Sequence, residues 1–364
     1  MKFSPKFIFL SVFVFLMLCL FVMRGTNSNK TETNKGNSIT SQKSPFSLTS
    51  KKRPKKKNKE STPDQDSIDP YFDPEIKKLM DQLGVRVPSR DELENYITKN
   101  DNDIEAIIAA GIILNDSSYY IRALENNPND AHALYLLALN DSTEESIKID
   151  LAKKLLKEQP NNVIGSYLLA SLQAESGDTD ESIKTLLGSF NQKGYEDFYN
   201  QTSLKVEDAL RGTGSSKTGS TLYSLWNVPV PILSKINKTA KTVMALVPES
   251  NPERAHELRS LTASIGTEIV NEGNLIIHEL VGISAQMMSL KGMEDNDPSP
   301  FESLSVKEAR ESLEERKGLI RNLNILNPKD FITMDATLIE SYMNRVRTVG
   351  EYEATRWLNQ RSNQ

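Results

Sequence analysis

Few side chains in this sequence are of the types that perform chemistry, because the chain holds three histidines and one cysteine. His278-Glu279 begins like a zinc-binding helix, in which a second histidine follows one turn later. Gly282 occupies that position, so the spacing predicts no zinc site and makes His278 a partly buried helix residue. Cys19 is alone within a hydrophobic segment, which excludes a disulfide framework and a thiolate metal cluster.

Two further runs carry incomplete binding motifs. The glycine-rich run before Lys217-Thr218 is compared with a phosphate-binding loop, but Ser216 and Arg211 stand where that loop needs glycine. The acidic run 294–297 lacks the glycine and the final glutamate of a calcium loop. We therefore predict no catalytic, cofactor-binding or metal-binding residue, and no cofactor.

Charge is distributed unevenly along the 364 residues, whose net charge is −5. Residues 1–60 carry 13 basic and 2 acidic side chains, whereas the remainder carries 31 basic and 47 acidic ones. A body this acidic repels phosphate backbones. We expect no binding to nucleic acid.

The segment from Phe7 to Met23 is apolar except for Ser11 and Cys19. As a helix it spans about 26 Å, close to the roughly 30 Å of a bilayer core. We predict a single-pass membrane anchor over residues 1–23, with the body on the exported side. A cleaved signal peptide and a lipid-modified Cys19 are the alternatives.

Residues 24–67 contain almost no large apolar side chains, so they are predicted to form a disordered basic linker. Seven of the nine residues from Lys51 to Lys59 are basic. Such a run can contact anionic lipid. The alternatives are a solvated spacer, a nucleic-acid patch and docking onto the acidic body.

Beyond residue 73 the fold class is predicted to be all-α, because apolar residues recur at helical spacing after clear helix-start signals. Three of these signals are capping boxes or resemble them, at residues 89–92, 178–181 and 305–308. Asn251-Pro252 and Asn327-Pro328 supply two more, since proline is favoured in the first turn of a helix.

Residues 103–190 repeat with a period near 32, marked by Pro128 and Pro160. The best unit is 163–190, with Leu169-Ala170 in its first helix, a turn at Gly177-Asp178 and the small Ser182 in its second. This pattern resembles tetratricopeptide repeats. The resemblance implies stacked helix pairs whose curved surface binds proteins, within a domain over 68–210.

The resemblance also suggests which side chains line that surface: Tyr119, Tyr120, Arg122 and Tyr135. Aromatic residues at helical spacing are equally typical of a core. Residues 211–231 are rich in glycine, serine and proline and are predicted to form a linker. A C-terminal helical domain of about five helices is expected over 232–364, with a long buried helix within 269–293.

The sequence therefore predicts a membrane-tethered scaffold that binds an unidentified protein partner. The first alternative is a structural envelope protein that assembles with itself, as a homo-oligomer, through an apolar patch or through Trp226 and Trp357. The second is a helical enzyme whose site the sequence does not reveal.

Overall fold

The helix-start signals of the sequence coincide with helix starts in the computed structural model, which describes residues 74–362 except residue 193. Ser89 accepts a hydrogen bond from the Glu92 amide, and Ser305 does the same for Glu308. Asn251 accepts one from the amide of Arg254. The described residues contain α-helices, two short 3-10 helices and no strand, so the predicted all-α class is confirmed.

The predicted membrane anchor, from Phe7 to Met23, and the basic linker with Lys51–Lys59 lie outside the described residues. None of the described helices combines the length and apolar character needed to cross a bilayer. The chain divides into two units at residue 77, and the second unit contains the body described below.

The first half of the body is a series of short helices, each packed against the next along the chain. They are α1 (Pro74–Gln82), α2 (Arg90–Lys99), α3 (Ile104–Leu114), α4 (Ser118–Asn126), α5 (Ala131–Leu139), α6 (Glu145–Glu158), α7 (Val163–Glu175) and α8 (Thr179–Gly188). Between α7 and α8, Ser182 is buried and its hydroxyl donates to the Ala170 carbonyl at 2.7 Å. A small residue there lets the two helices approach.

The second half contains nine further helices. They are α9 (Tyr199–Gly212), α10 (Lys217–Asn227), α11 (Ile232–Ala245), α12 (Pro252–Glu272), α13 (Ile276–Ser289), α14 (Val306–Arg321), α15 (Pro328–Ile332), α16 (Ala336–Val349) and α17 (Glu351–Ser362). The region 232–364 thus holds seven α-helices rather than about five.

Helices α9 and α11 return across the first half, where α9 packs on α3 and α11 packs on α7. As a result, the helices of the series that they cover are buried on most sides. Seven of the nine residues of α5 and ten of the thirteen residues of α7 are buried. The surface that a stack of helical hairpins would leave open is covered here by the chain itself.

The predicted linker 211–231 is wrong over its central part, which forms helix α10. Ser216 begins the helix by accepting a hydrogen bond from the Gly219 amide at 3.0 Å. A Cβ atom on Gly219 would lie 2.6 Å from the carbonyl oxygen of Leu83, so glycine is needed for this close packing. The glycine and serine residues that suggested a loop are used for a helix cap and a close helix contact.

The predicted long helix within 269–293 is also wrong, because α12 ends at Glu272 and α13 begins at Ile276. The break lies at Gly273, where a side chain would collide with the Ile269 carbonyl oxygen and with the His278 ring. The two helices form an antiparallel hairpin. Their backbones touch where Gly266 faces Gly282.

The last helices form a second core around Phe331, Tyr342 and Met343. Trp226 packs edge-on against Phe331, with 4.8 Å between ring centroids, and Trp357 lies partly buried at the same core. Neither tryptophan belongs to the exposed apolar patch that was considered as a self-assembly surface.

We expect Gly282→Ala to lower the free energy of unfolding by about 1–3 kcal/mol, because overpacking outweighs the roughly 1 kcal/mol that alanine gains in helix propensity. Its added Cβ would lie 2.6 Å from the Gly266 carbonyl oxygen. Gly318→Ala in α14 is the matched control, since a Cβ there meets nothing within 4 Å. Urea unfolding should show the control at or above wild-type stability. Equal stability of the two variants would contradict the close packing of α12 on α13.

Candidate functional site

The candidate site is built on the connection between α8 and α9, which is held against the start of α7. The Asn162 side chain accepts from the Glu196 amide at 3.0 Å and donates to the Glu196 carbonyl at 2.9 Å. Gly194 forms an isolated parallel bridge with Asn162, in which its carbonyl accepts from the Val163 amide at 2.8 Å. These bonds fix the backbone of residues 194–196.

Phe198 ends this connection in an uncommon backbone conformation. Its φ of 62° lies in the left-handed region, which costs a bulky residue about 1–3 kcal/mol. The side chain is 2% exposed and stacks on His132, with 5.1 Å between ring centroids. Its centroid also lies 5.0 Å from that of Tyr135. The buried ring contacts hold the backbone in this conformation.

Asp197 is thereby placed beside His278, the third residue of α13. The distance from His278 Nε2 to Asp197 Oδ2 is 2.6 Å, and His278 Nδ1 accepts from the Leu275 amide at 3.1 Å. Because a backbone amide can only donate, Nδ1 carries no proton, and Nε2–H donates to the carboxylate. Both ring nitrogens are engaged by the protein. His278 therefore joins α13 to the connection and has no free nitrogen for proton transfer to a substrate.

Glu351, the first residue of α17, caps the same end of α13. Its carboxylate accepts from the Ile276 amide at 2.8 Å, and its own amide donates to the Asn274 carbonyl at 2.7 Å. Burial raises the pKa of Glu351. Glu279, one position after His278, forms a salt bridge with Arg316.

Two adjoining cavities open over these residues, with volumes of about 250 Å³ and about 520 Å³. Both are lined by Tyr195, Glu196 and Glu272, so they form one continuous cleft, which we call the acidic cleft. Asp197 lines one end and Glu158 the other. Among the described residues that line it, none is a lysine or an arginine.

Tyr195 lies in the wall of this cleft and is 8% exposed. Its hydroxyl is buried without a hydrogen-bond partner within the described part of the chain. Burial, together with the nearby Asp197 carboxylate, raises the pKa of Tyr195 far above its ordinary value. Its ring meets the His278 ring edge-on, with 6.2 Å between centroids.

His132 lies beneath Phe198 and is 2% exposed. Its Nε2 lies 2.7 Å from the Thr202 hydroxyl, and its Nδ1 has no partner in the described residues. Burial, together with the charge of Lys205, lowers the pKa of His132 to about 3. The imidazole is neutral in the folded protein at neutral pH.

The structure corrects the predicted groove-lining residues. Tyr119, Tyr120 and Tyr135 are 3%, 7% and 3% exposed, so their rings belong to the interior. Tyr120 packs directly against Gly111, and Tyr135 packs against Phe198.

Arg122, the fourth predicted groove residue, joins α4 to α2. Its guanidinium forms a salt bridge with Glu94 at 2.9 Å, and Glu94 also accepts from the Tyr119 hydroxyl at 2.7 Å. The four residues are neighbours of helix packing and do not meet in one open surface.

The remaining sequence candidates have structural partners. Ser215 and Ser216, in the run compared with a phosphate-binding loop, bond the backbone of Arg86 and Leu83. Asp295 in the acidic run forms a salt bridge with Arg310 at 2.8 Å. Within the described residues, no cluster of three or more histidine, cysteine, aspartate or glutamate side chains is arranged to hold a metal ion.

The sequence analysis overlooked the connection itself. The stretch 194–199 reads Gly-Tyr-Glu-Asp-Phe-Tyr, with three aromatic residues outside any helical period. Loops normally lie at the surface, so a loop this aromatic indicates a segment inserted into the body. Glu196, Asp197 and Glu272 carried no signal of their own, because carboxylates are plentiful in this chain.

Comparisons with family models, with curated proteins and with solved structures found no match. The arrangement of the site must therefore be interpreted from its own geometry. It is an acidic cleft whose histidine is engaged on both nitrogens, a geometry that favours binding of a cation over acid–base chemistry.

We expect Asp197→Ala to lower the free energy of unfolding by about 1.5–3 kcal/mol, since a hydrogen bond to a charged group is lost and the His278 N–H is left buried. The Tyr199 amide, which donates to Asp197 at 3.1 Å, should also exchange its hydrogen faster. Glu196→Ala is the control, because its side chain is exposed, and it should change stability by less than about 0.5 kcal/mol. Urea unfolding with amide exchange measures both, and equal losses would contradict the role of the Asp197–His278 contact.

His132 should make the protein less stable in acid. Unfolding returns its pKa from about 3 to an ordinary value near 6.5, so below pH 6.5 the unfolded chain binds one more proton than the folded one. The free energy of unfolding should then fall with decreasing pH, by up to about 1.4 kcal/mol per unit from this residue.

Urea midpoints between pH 7 and pH 4 test this contribution. His132→Leu should flatten the dependence, whereas His256→Leu should leave it unchanged because His256 is exposed. A wild-type slope in His132→Leu would show that His132 is protonated in the folded state.

Proposed function

We propose that this protein is a membrane-tethered interaction protein whose helical body binds another protein. The sequence supports an anchor over residues 7–23 and a long polar linker that gives the body reach. A tether of this kind raises the local concentration of a binding domain near its partner. Its function would then be recognition without chemistry.

The observation that carries this proposal is the acidic cleft over the α8–α9 connection. It is concave, it is lined by several carboxylates, and its histidine is bonded on both nitrogens by protein atoms. A left-handed Phe198 backbone is retained to place this connection. Costly backbone conformations of this type concentrate at functional sites.

The binding surface proposed here differs from the one that the repeat resemblance implies. In the resembling family the curved face of the helix stack receives the partner. Here α9 and α11 cover that face, and three of the four predicted lining residues are buried. A partner would therefore approach the cleft at the edge of α6, α7 and α12.

Crosslinking in membranes of the native cell, followed by mass spectrometry, tests the proposal. We expect recurrent crosslinks between residues 78–364 and one different protein. A variant without residues 1–24 should leave the membrane fraction and lose most of these crosslinks, because the tether is removed. Crosslinks formed only between copies of this chain, centred on 232–364, would overturn the proposal in favour of a self-assembling structural protein.

A further inference from the structure

The carboxylates of the acidic cleft differ from other partly buried carboxylates of the body in their pairing. Glu175 is bonded by Lys235 and Lys238, and Glu207 forms a salt bridge with Arg347. Glu279 is paired with Arg316. In these places the protein neutralises a carboxylate with its own cation.

The cleft contains no such cation among the described residues, which exclude position 193. Neither Glu158, Glu196 nor Glu272 forms a salt bridge with a described lysine or arginine, and Asp197 bonds only the neutral His278 ring. Glu268 lies one turn before Glu272 on α12 and adds a further negative charge. Burial and the charge of Glu272 raise the pKa of Glu268, as expected where like charges lack a counterion.

A second and independent feature is the Tyr195 hydroxyl. It belongs to a side chain that is more than nine-tenths buried, it has no described partner, and its residue lines both cavities of the cleft. Buried polar groups in proteins are nearly always hydrogen-bonded. An unsatisfied hydroxyl beside unpaired carboxylates is suited to accept a hydrogen bond from a cationic donor.

We infer that the acidic cleft binds an arginine- or lysine-containing segment of the partner protein in extended conformation. This inference rests on the proposed function and names the chemistry of the partner. The carboxylates are spread along two adjoining cavities, so successive basic side chains of a peptide can each reach one. Arginine fits best, because its planar guanidinium donates several hydrogen bonds to carboxylates and to a hydroxyl at once.

The test uses the full chain in neutral detergent and a fluorescein-labelled dodecapeptide of alternating arginine and serine. The matched peptide carries citrulline in place of arginine, which keeps the shape and removes the charge. Fluorescence anisotropy at 150 mM salt should show binding of the arginine peptide, with at least tenfold weaker binding of the citrulline peptide. Absence of binding of the arginine peptide to the wild type would overturn the inference.

Two double variants separate the cleft from the overall acidity of the body. Glu196→Gln with Glu272→Gln removes two lining charges and should weaken the arginine peptide about tenfold or more. Glu253→Gln with Glu302→Gln removes two exposed charges that do not line the cleft, and should leave the affinity within about twofold. Equal weakening by both pairs would show general charge attraction and overturn the site.

Tyr195→Phe and a free cation complete the test. The phenylalanine variant removes only the unpartnered hydroxyl, so it should fold normally and weaken the peptide about threefold. Unchanged affinity would remove Tyr195 from the site. Spermidine should compete only at concentrations far above that of the peptide, and competition at equal concentration would mean that the cleft binds small cations instead.

The inference and the proposed function can fail separately. A recurrent crosslinked partner together with no binding of the arginine peptide would leave the interaction protein standing and remove the basic segment. Loss of the partner crosslinks in the Glu196→Gln, Glu272→Gln variant would support both together.

Discussion

The insertion of Phe198 between the rings of His132 and Tyr135 is the contact on which the candidate site depends. It holds a bulky residue in the left-handed region, at a cost that only a well-packed interior compensates. Through this one backbone conformation, Asp197 reaches His278 and Tyr195 enters the wall of the cleft. The neutrality of His132 belongs to the same contact, because a charged ring could not remain buried under Phe198.

The hairpin of α12 and α13 supplies the opposite wall by a different means. Gly266 and Gly282 let the two backbones touch, and Gly273 ends α12 where the cleft needs a turn. The start of α13 is then held from two directions, by Asp197 through His278 and by Glu351 from α17. A loop between α8 and α9 and a helix near the C-terminus thus fix one helix end, and the cleft carboxylates lie around it.

The covering of the helix stack changes where recognition can occur. Stacked hairpins bury one face of each pair against the next pair and leave a curved surface available. In this protein α9 and α11 pack onto that surface, which explains why α5 and α7 are apolar on most sides. The same covering leaves the unpaired carboxylates at the edge of the stack. The strong negative charge of the body is thereby concentrated where a concave surface remains.

The sequence by itself determined the helical class and many helix starts, because capping boxes such as Ser89–Glu92 involve residues only three positions apart. Helical periodicity also showed that residues such as Tyr119 and Tyr135 lie on apolar faces. It could not show what covers those faces, since the spacing of a groove aromatic and a core aromatic is the same. Only the tertiary structure decided that question, and only it brought Asn162, Glu196 and Glu272 together. Their proximity depends on helix packing between segments far apart in the chain, which no local pattern encodes.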